Sequence, residues 1–380
     1  MESRFKVPKY IYGVKSGNPH LELYRMKLFE AHKDSVISQI KSGLNMSQKE
    51  SISMSRKIQQ YYSQLIMSVI TNRTYNLVFT DEIHLADGMF NIPTPQEMEQ
   101  FYVDINGIFI RMGISRKYKN DYFKVIEAFK YIIHKLQTWR PTSSPNFLRE
   151  EIRGSGGALI RITYTIDRYV ISIPQVTYNK CVETYKGEPQ NLDTAILCCL
   201  LRYKTLNSGA NQFVVDLQYK EQLRKYGFDF ECFGSVFNKY YTHFCSMFYD
   251  LEKDFGSCGS FMALKIEQGY YMANPPYDEN LLDKMYACVK RGLTSSNSVV
   301  ILMSIPKWEN YELEQRIDNE HLFAVRQIRL EKFHTDMDPS VMVSIPAYIN
   351  YLFHTKKIEA NLSEFLKFYK QIGERIKCGK

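Results

Sequence analysis

The chain predicts an α/β fold on a doubly wound sheet, preceded by a mostly helical N-terminal domain. Three observations carry this expectation. Apolar residues recur at helical spacing through the first 140 residues; short β-rich runs alternate with helical segments after Gly154-Ser155-Gly156-Gly157; and one of those runs stops at two consecutive prolines, Pro275 and Pro276. With 380 residues and 44% hydrophobic content, the chain is long enough to bury a large core, in two domains or one large fused unit.

In chain order, Leu23, Met26, Leu28, Phe29, Val36, Ile37 and Ile40 mark a helix over residues 21–40 that stops at Gly43. A second helix is expected from Ser47. Ser47-Gln48-Lys49-Glu50 and Thr94-Pro95-Gln96-Glu97 both read as capping boxes, and a further helix runs from Asp121 to Trp139. Pro141-Thr142-Ser143-Ser144-Pro145 breaks it, which sets the expected division into residues 1–145 and 146–380. Beyond it, Leu159 to Ile166 and Tyr169 to Ile173 form a hairpin around Asp167-Arg168, and Asp193 to Leu206 an apolar helix. The β-rich runs are Phe228–Phe233, Phe244–Phe248, Tyr270–Ala273, Ser298–Met303, Phe323–Leu330 and Val341–Ile345. Ligands of such sheets bind at the carboxyl ends of strands.

The most informative of these ends is Asn274-Pro275-Pro276-Tyr277, which follows Gly269-Tyr270-Tyr271-Met272-Ala273. Proline lacks an N–H and has φ near −65°, so two in succession end both ladder pairing and helix and leave carbonyls to be aimed at a ligand. An adenine or cytosine amino group has two hydrogens to donate. The Asn274 side-chain oxygen and the Pro275 carbonyl could accept one each and turn the nitrogen towards an electrophilic methyl, with Tyr277 stacked on the base. A structural strand-to-helix turn is the plainer reading; the amphipathic helix that opens at Asp278-Glu279-Asn280 supplies the strand, turn and helix context that the chemistry needs. On the donor side, Glu231-Cys232-Phe233-Gly234-Ser235 combines an acid for ribose hydroxyls with a glycine that admits close backbone approach. Asp250 and the turn Phe255-Gly256-Ser257-Cys258-Gly259 follow.

Charge is unevenly placed. Of a formal net charge of +8, residues 1–150 hold 21 Lys and Arg against 14 Asp and Glu. Arg111, Arg116, Lys117 and Lys119 are the densest cluster, and a basic face beside a neutral catalytic unit suits a polyanionic substrate, although solvated surface charge is the commoner cause of such an excess. No apolar stretch is long enough to cross a membrane and the N-terminus lacks a signal-peptide core, so a soluble protein of the cytoplasm or nucleus is expected. All eight cysteines lie from Cys181 onwards without a C-x-x-C, which points to free thiols and no metal site.

Five separated motifs together resemble the phosphorylated-CTD-interacting-factor methyltransferases, which methylate N6 of the 2′-O-methyladenosine beside the messenger RNA cap. They are Leu200-Leu201-Arg202-Tyr203, Phe230 to Ser235 with Asn238, Phe244 to Asp250, Phe255-Gly256-Ser257 and Ala273-Asn274-Pro275-Pro276, and Ile305-Pro306-Lys307-Trp308 is similar to the family's Pro-x-Trp turn. The resemblance covers residues 158–350 and implies a Rossmann-like domain that uses S-adenosylmethionine and a helical domain that helps hold capped RNA. It puts Asn274, Pro275, Pro276 and Tyr277 at the target base and Glu231, Phe233, Gly234, Ser235, Asn238 and Asp250 near the donor. Arg202 would face the donor carboxylate or a cap phosphate, and Glu279 and Trp308 would take the cap guanine, with a buried anchor under the Pro306 turn as the other reading of Trp308; the charge cluster Arg116, Lys117 and Lys119 is the candidate contact for the RNA backbone. Tyr277, Val236-Phe237 and Cys258 depart from the family's phenylalanine, Pro-Leu and arginine. With only Trp139 and Trp308 present, a WW module and polymerase recruitment through it are not expected. The composition suggests a short form from a large DNA virus or a protist, acting in the host cytoplasm if viral.

Three readings compete. The first is methyl transfer to adenine N6 of cap-adjacent adenosine, the second the same chemistry on internal RNA or DNA adenine with the base unstacked, and the third a non-catalytic RNA-binding subunit. Oligomeric state is open on all three.

Overall fold

The computed structural model describes residues 5–6, 9–12, 17–42, 82–85, 135, 138–139, 146–154, 160–205, 213–214, 217–276, 279–295, 298–309, 311–329, 332–335, 342–344, 348–355 and 363–369. Helix α1 (Pro19–Ser42) starts where the Asn18 side-chain oxygen accepts from the backbone N–H groups of His20 and Leu21, at 3.0 and 3.3 Å. That bond pair satisfies orphan donors of the first turn. The expected helices from Ser47 and over Asp121–Trp139, and the Thr94 capping box, lie outside the described residues.

Strands β1 (Leu148–Arg153), β2 (Ile160–Ile166) and β3 (Tyr169–Pro174) make an antiparallel sheet with β2 in the middle. Alternation decides its burial, since Ile162, Tyr164 and Ile166 point into the core while β1 is exposed along its whole length. Asp167 and Arg168 join β2 to β3 with φ of 45° and 64°, the paired positive values of a two-residue type I′ turn. Helices α2 (Gln175–Thr184) and α3 (Leu192–Thr205) follow. Residues Ile196 to Tyr203 of α3 are buried without interruption, so α3 is a core helix covered on all sides. One of its covers is α1, whose Leu23, Met26 and Phe29 share a hydrophobic cluster with it.

Helix α4 (Leu217–Lys225), strands β4 (Phe228–Glu231) and β5 (His243–Phe244), helix α5 (Tyr249–Glu252), strand β6 (Gln268–Ala273), helix α6 (Glu279–Ser295), strand β7 (Ser298–Pro306), helix α7 (Glu312–Glu320), and strands β8 (Phe323–Arg329) and β9 (Tyr348–His354) build the main unit. Its six-stranded sheet has the order β8-β9-β7-β6-β4-β5. Strands β5, β4, β6 and β7 are parallel, and β9 runs antiparallel to both β7 and β8. The sheet is therefore mixed and the fold α/β.

Both faces of this sheet are apolar and both are covered. On β7, Val299, Ile301, Met303 and Ile305 join the cluster that holds side chains of α1, α3, α6 and α7; Val300 and Leu302 join a second cluster with Leu223 of α4 and with Phe365 and Tyr369 of the helix over residues 363–369. A strand buried on both faces reads as a continuous apolar run, as Val299 to Met303 does. Each such side chain contributes on the order of 1.5–3 kcal/mol by leaving water. A register shift at Tyr270/Tyr271 turns Phe228 and Phe230 of β4 to opposite faces.

Three strand expectations change. The run Phe244–Phe248 is a strand only at its first residue, because Ser246 N–H and Cys258 N–H turn to Gly259 and Phe244 carbonyls at 2.9 and 2.7 Å. Met342–Ser344 pairs with Lys332–Thr335, and the latter with Phe213–Val214, in a separate sheet. Strand β9, absent from the expectation, lies between β7 and β8. The seven described cysteines are free and buried, and burial pushes the thiols of Cys181 and Cys258 up to about 12. Among the described residues no helix is long and apolar enough to cross a membrane.

Candidate active site

Strand order reverses between β4 and β6. From β4 the chain moves outward to β5 at one edge, then returns to add β6 on the other side of β4. A reversal of this kind opens a crevice at the strands' carboxyl ends. β4 ends there at Glu231 and β6 at Ala273, and Cys232 N–H donates to the Met272 carbonyl at 2.8 Å, tying the two exits together. Ladder pairing of β6 stops with Ala273 opposite Met303, as Pro275 has no N–H to continue it. Asn274 and Pro276 are half-buried and Pro275 is buried at this exit. Tyr277 and the Glu279 side chain lie outside the described residues, as do Arg116, Lys117 and Lys119.

The loop after β4 is held by its own side chains. Phe233 is half-buried, its ring edge-on to Phe261 at 5.6 Å. At Gly234 a Cβ would meet the Phe244 ring at 3.2 Å, so packing against β5 also favours glycine there. Ser235 N–H donates to the Asn238 side-chain oxygen at 2.7 Å and Asn238 N–H to the Ser235 hydroxyl at 3.2 Å, a reciprocal pair that closes the turn. Asn238 thus shapes the loop. Glu231 corrects an expectation: one carboxylate oxygen pairs with the buried Lys220 ammonium and the other accepts from Tyr240 N–H at 2.7 Å, so the acid expected to take ribose hydroxyls is engaged inside the protein.

Arg202 and Asp250, expected as separate donor contacts, touch each other. Arg202 Nη1 donates to Asp250 Oδ2 at 2.6 Å, while its Nη2 and Nε fork onto Glu22 at 2.5 and 3.1 Å. Arg25 Nη1 reaches the same Glu22 at 2.5 Å, and the Arg202 guanidinium lies 5.4 Å from the centre of the Phe248 ring. Arg202 therefore faces Glu22 and Asp250, which corrects its expected place against a donor carboxylate or cap phosphate. Burial by itself would raise the Glu22 carboxyl; the charges and hydrogen bonds of Arg202 and Arg25 overcome that and bring it down to about 2. Sequence reading missed Glu22 because its partner is 180 residues away.

It also missed Glu252. This carboxyl is fully buried on α5, accepts from Val236 N–H at 2.6 Å and Tyr203 hydroxyl at 3.0 Å, and is pushed up to about 7 by burial against the pull of those bonds. Val236 stands where the resembled family has proline, which would have no N–H to give. Trp308, beyond the end of β7, is half-buried and edge-on to Tyr311 at 5.0 Å.

The protein family described as "Phosphorylated CTD interacting factor 1 WW domain" matches residues 175–336; the matched stretch holds Trp308 and no second tryptophan. A human protein named mRNA (2′-O-methyladenosine-N(6)-)-methyltransferase is 38% identical over 86 residues, and its mouse counterpart 37% over 86. Each match covers 22% of this chain and 12% of the relative, so the similarity spans a small part of those longer proteins. Through residues 175–336, the chain is therefore similar to the phosphorylated-CTD-interacting-factor family.

Proposed function

We propose that the protein is an S-adenosylmethionine-dependent methyltransferase acting on adenine N6 of the adenosine beside the mRNA cap. The observation that carries this reading is Asn274-Pro275-Pro276 at the carboxyl end of β6, beside the strand-order reversal. On this reading the mixed sheet is a Rossmann-like, doubly wound one. The names of the human and mouse relatives supply the substrate class. Residues 146–380 are the catalytic unit, and residues 1–145, which hold most of the net positive charge, help hold capped RNA.

The residues present fit the donor. Its ribose hydroxyls need a carboxylate acceptor near the loop after β4, and the Asp250 side chain keeps 18% of its surface accessible, in contrast to the engaged Glu231. Phe233 offers its half-buried ring to the adenine. When bound, S-adenosylmethionine supplies an electrophilic methyl group. The protein's share of the chemistry is orientation. Asn274 Oδ1 and the Pro275 carbonyl accept the two amine hydrogens and aim the nitrogen lone pair, while Tyr277 stacks on the base. Neither acceptor is basic at neutral pH, so the proton released by the methylated amine passes to solvent. Glu279 and Trp308 are assigned to the cap guanine, as acceptor and stacking partner.

Nucleoside mass spectrometry after incubation with isotope-labelled donor and capped RNA, uncapped RNA or DNA tests this. N6-methylated adenosine from the first nucleotide of capped RNA alone is the expected product. Product from uncapped RNA or DNA alone moves the substrate to internal adenine, and donor binding without product on any of the three makes the protein a non-catalytic subunit.

A further inference from the structure

We infer that Glu22 is a positioning residue for the donor pocket, acting through Arg202 on Asp250; this rests on the reading that Asp250 receives the donor. The argument starts from cost. Glu22 sits in the apolar stripe of α1 with 1% of its side chain accessible, and a buried carboxylate is unfavourable unless charge and hydrogen bonds answer it. Both its oxygens are answered by Arg202, in the two-point fork that holds a guanidinium in one plane and one rotation. With Nε and Nη2 so held, Nη1 has a set direction, and it meets Asp250 Oδ2 at 2.6 Å.

The gradient of accessibility along this chain gives it a direction. Glu22 has 1%, Arg202 5% and Asp250 18% of the side chain accessible. The inner two groups are a frame, and the outer carboxylate is the one a ligand can reach. Arg25 Nη1 also donates to Glu22, so that two guanidinium groups and two carboxylates meet at the junction of α1, α3 and α5. A simple clip between α1 and α3 would need only the Glu22–Arg202 fork. The remaining bond to the accessible Asp250 is what makes Glu22 part of the donor site, and it draws the N-terminal helix into the catalytic unit.

The test uses the full chain and measures donor affinity, kinetics and melting temperature together. Glu22→Gln keeps the volume but leaves one oxygen acceptor for three N–H donors, two from Arg202 and one from Arg25. It should weaken S-adenosylmethionine affinity about tenfold, the scale of one charge-assisted hydrogen bond, and raise the donor KM in step while kcat at saturating donor changes less than about threefold. Asp250→Asn alone should weaken the donor similarly, and adding Glu22→Gln to it should give little further loss, because both act at one carboxylate. Met26→Ala, which loosens the same helix through packing, should lower the melting temperature without changing donor affinity. Should Glu22→Gln fail to fold, the shorter Glu22→Asp gives the same readout. Donor affinity within about twofold of wild type in the folded Glu22 variant, or strict additivity with Asp250→Asn, overturns the inference and leaves the proposed function standing. No donor binding by the wild type overturns both.

Discussion

Asn274 and Glu252 are the two residues at which single atoms decide most. Asn274→Ala should lower methyl transfer on the order of 10² to 10³, the loss expected for one preorganised partner at a reacting centre. It should leave donor affinity near wild type, as the donor is assigned to Phe233 and Asp250. Single-turnover rates beside calorimetric donor binding check this, and a wild-type rate in the variant sinks the assignment. Glu252 predicts a pH dependence. Burial pushes its carboxyl up to about 7 from the ordinary 4.5, so between those values the native state holds a proton that the unfolded chain has lost. Stability must then fall as pH rises through that window, by roughly 3 kcal/mol at most. Glu22 acts in the opposite sense: with its carboxyl lowered to about 2, its contribution is full above 4.5 and lost as pH falls towards 2. Denaturant melts at pH 5 and pH 7.5 should show the fall in wild type and a flatter response in Glu252→Gln, and an unchanged slope in the variant refutes the account.

Among the elements, the hairpin β2–β3 shows local chemistry working against itself. Its turn needs positive φ at both central positions, and a side chain at Arg168 is held at 64°. The Asp167 carboxylate is meanwhile used, taking a hydrogen bond from His20 of α1 at 3.0 Å. Arg168→Gly, which relieves the left-handed position without touching that bond, should stabilise the protein by about 1 kcal/mol, read as a higher urea midpoint at unchanged m. A lower midpoint would mean that the arginine makes a contact worth more than its backbone strain. Helix α3 makes the complementary point. Its apolar sequence is legible as a helix, but only its burial on every side makes Arg202 depend on partners from α1 and α5.

For the whole molecule, the main sheet is covered on both faces, with α1, α3, α6 and α7 on one side and α4 and the helix over residues 363–369 on the other. The carboxyl end of its strands is left as the place for chemistry. The charge excess before residue 150 lies apart from that end in sequence. Reversing Arg116, Lys117 and Lys119 should therefore weaken RNA binding and flatten the slope of log affinity against log salt by about 0.7 for each lost phosphate contact, with the methylated atom unchanged. Filter binding across a salt series reads both quantities. Unchanged affinity and slope would return this cluster to ordinary solvated charge.

The apolar stripe of α1, the hairpin around Asp167-Arg168, the apolar helix α3 and the exit of β6 into Pro275-Pro276 were all legible in the sequence. Each depends on chemistry within a few residues: an apolar periodicity, a two-residue link, or a proline without an N–H. Strand β9 was not legible, since Tyr348 to Phe353 carry no sign that they run antiparallel between β7 and β8. Neither were the partners of the charged residues. Glu231 looks like a ligand acid until Lys220 and Tyr240 take its oxygens, and Arg202 looks like a ligand cation until Glu22 and Asp250 take its nitrogens. Spacing along the chain determines which elements form. Which charges meet depends on the surfaces that packing brings together, because a buried ion is tolerated only where tertiary structure supplies its counterpart.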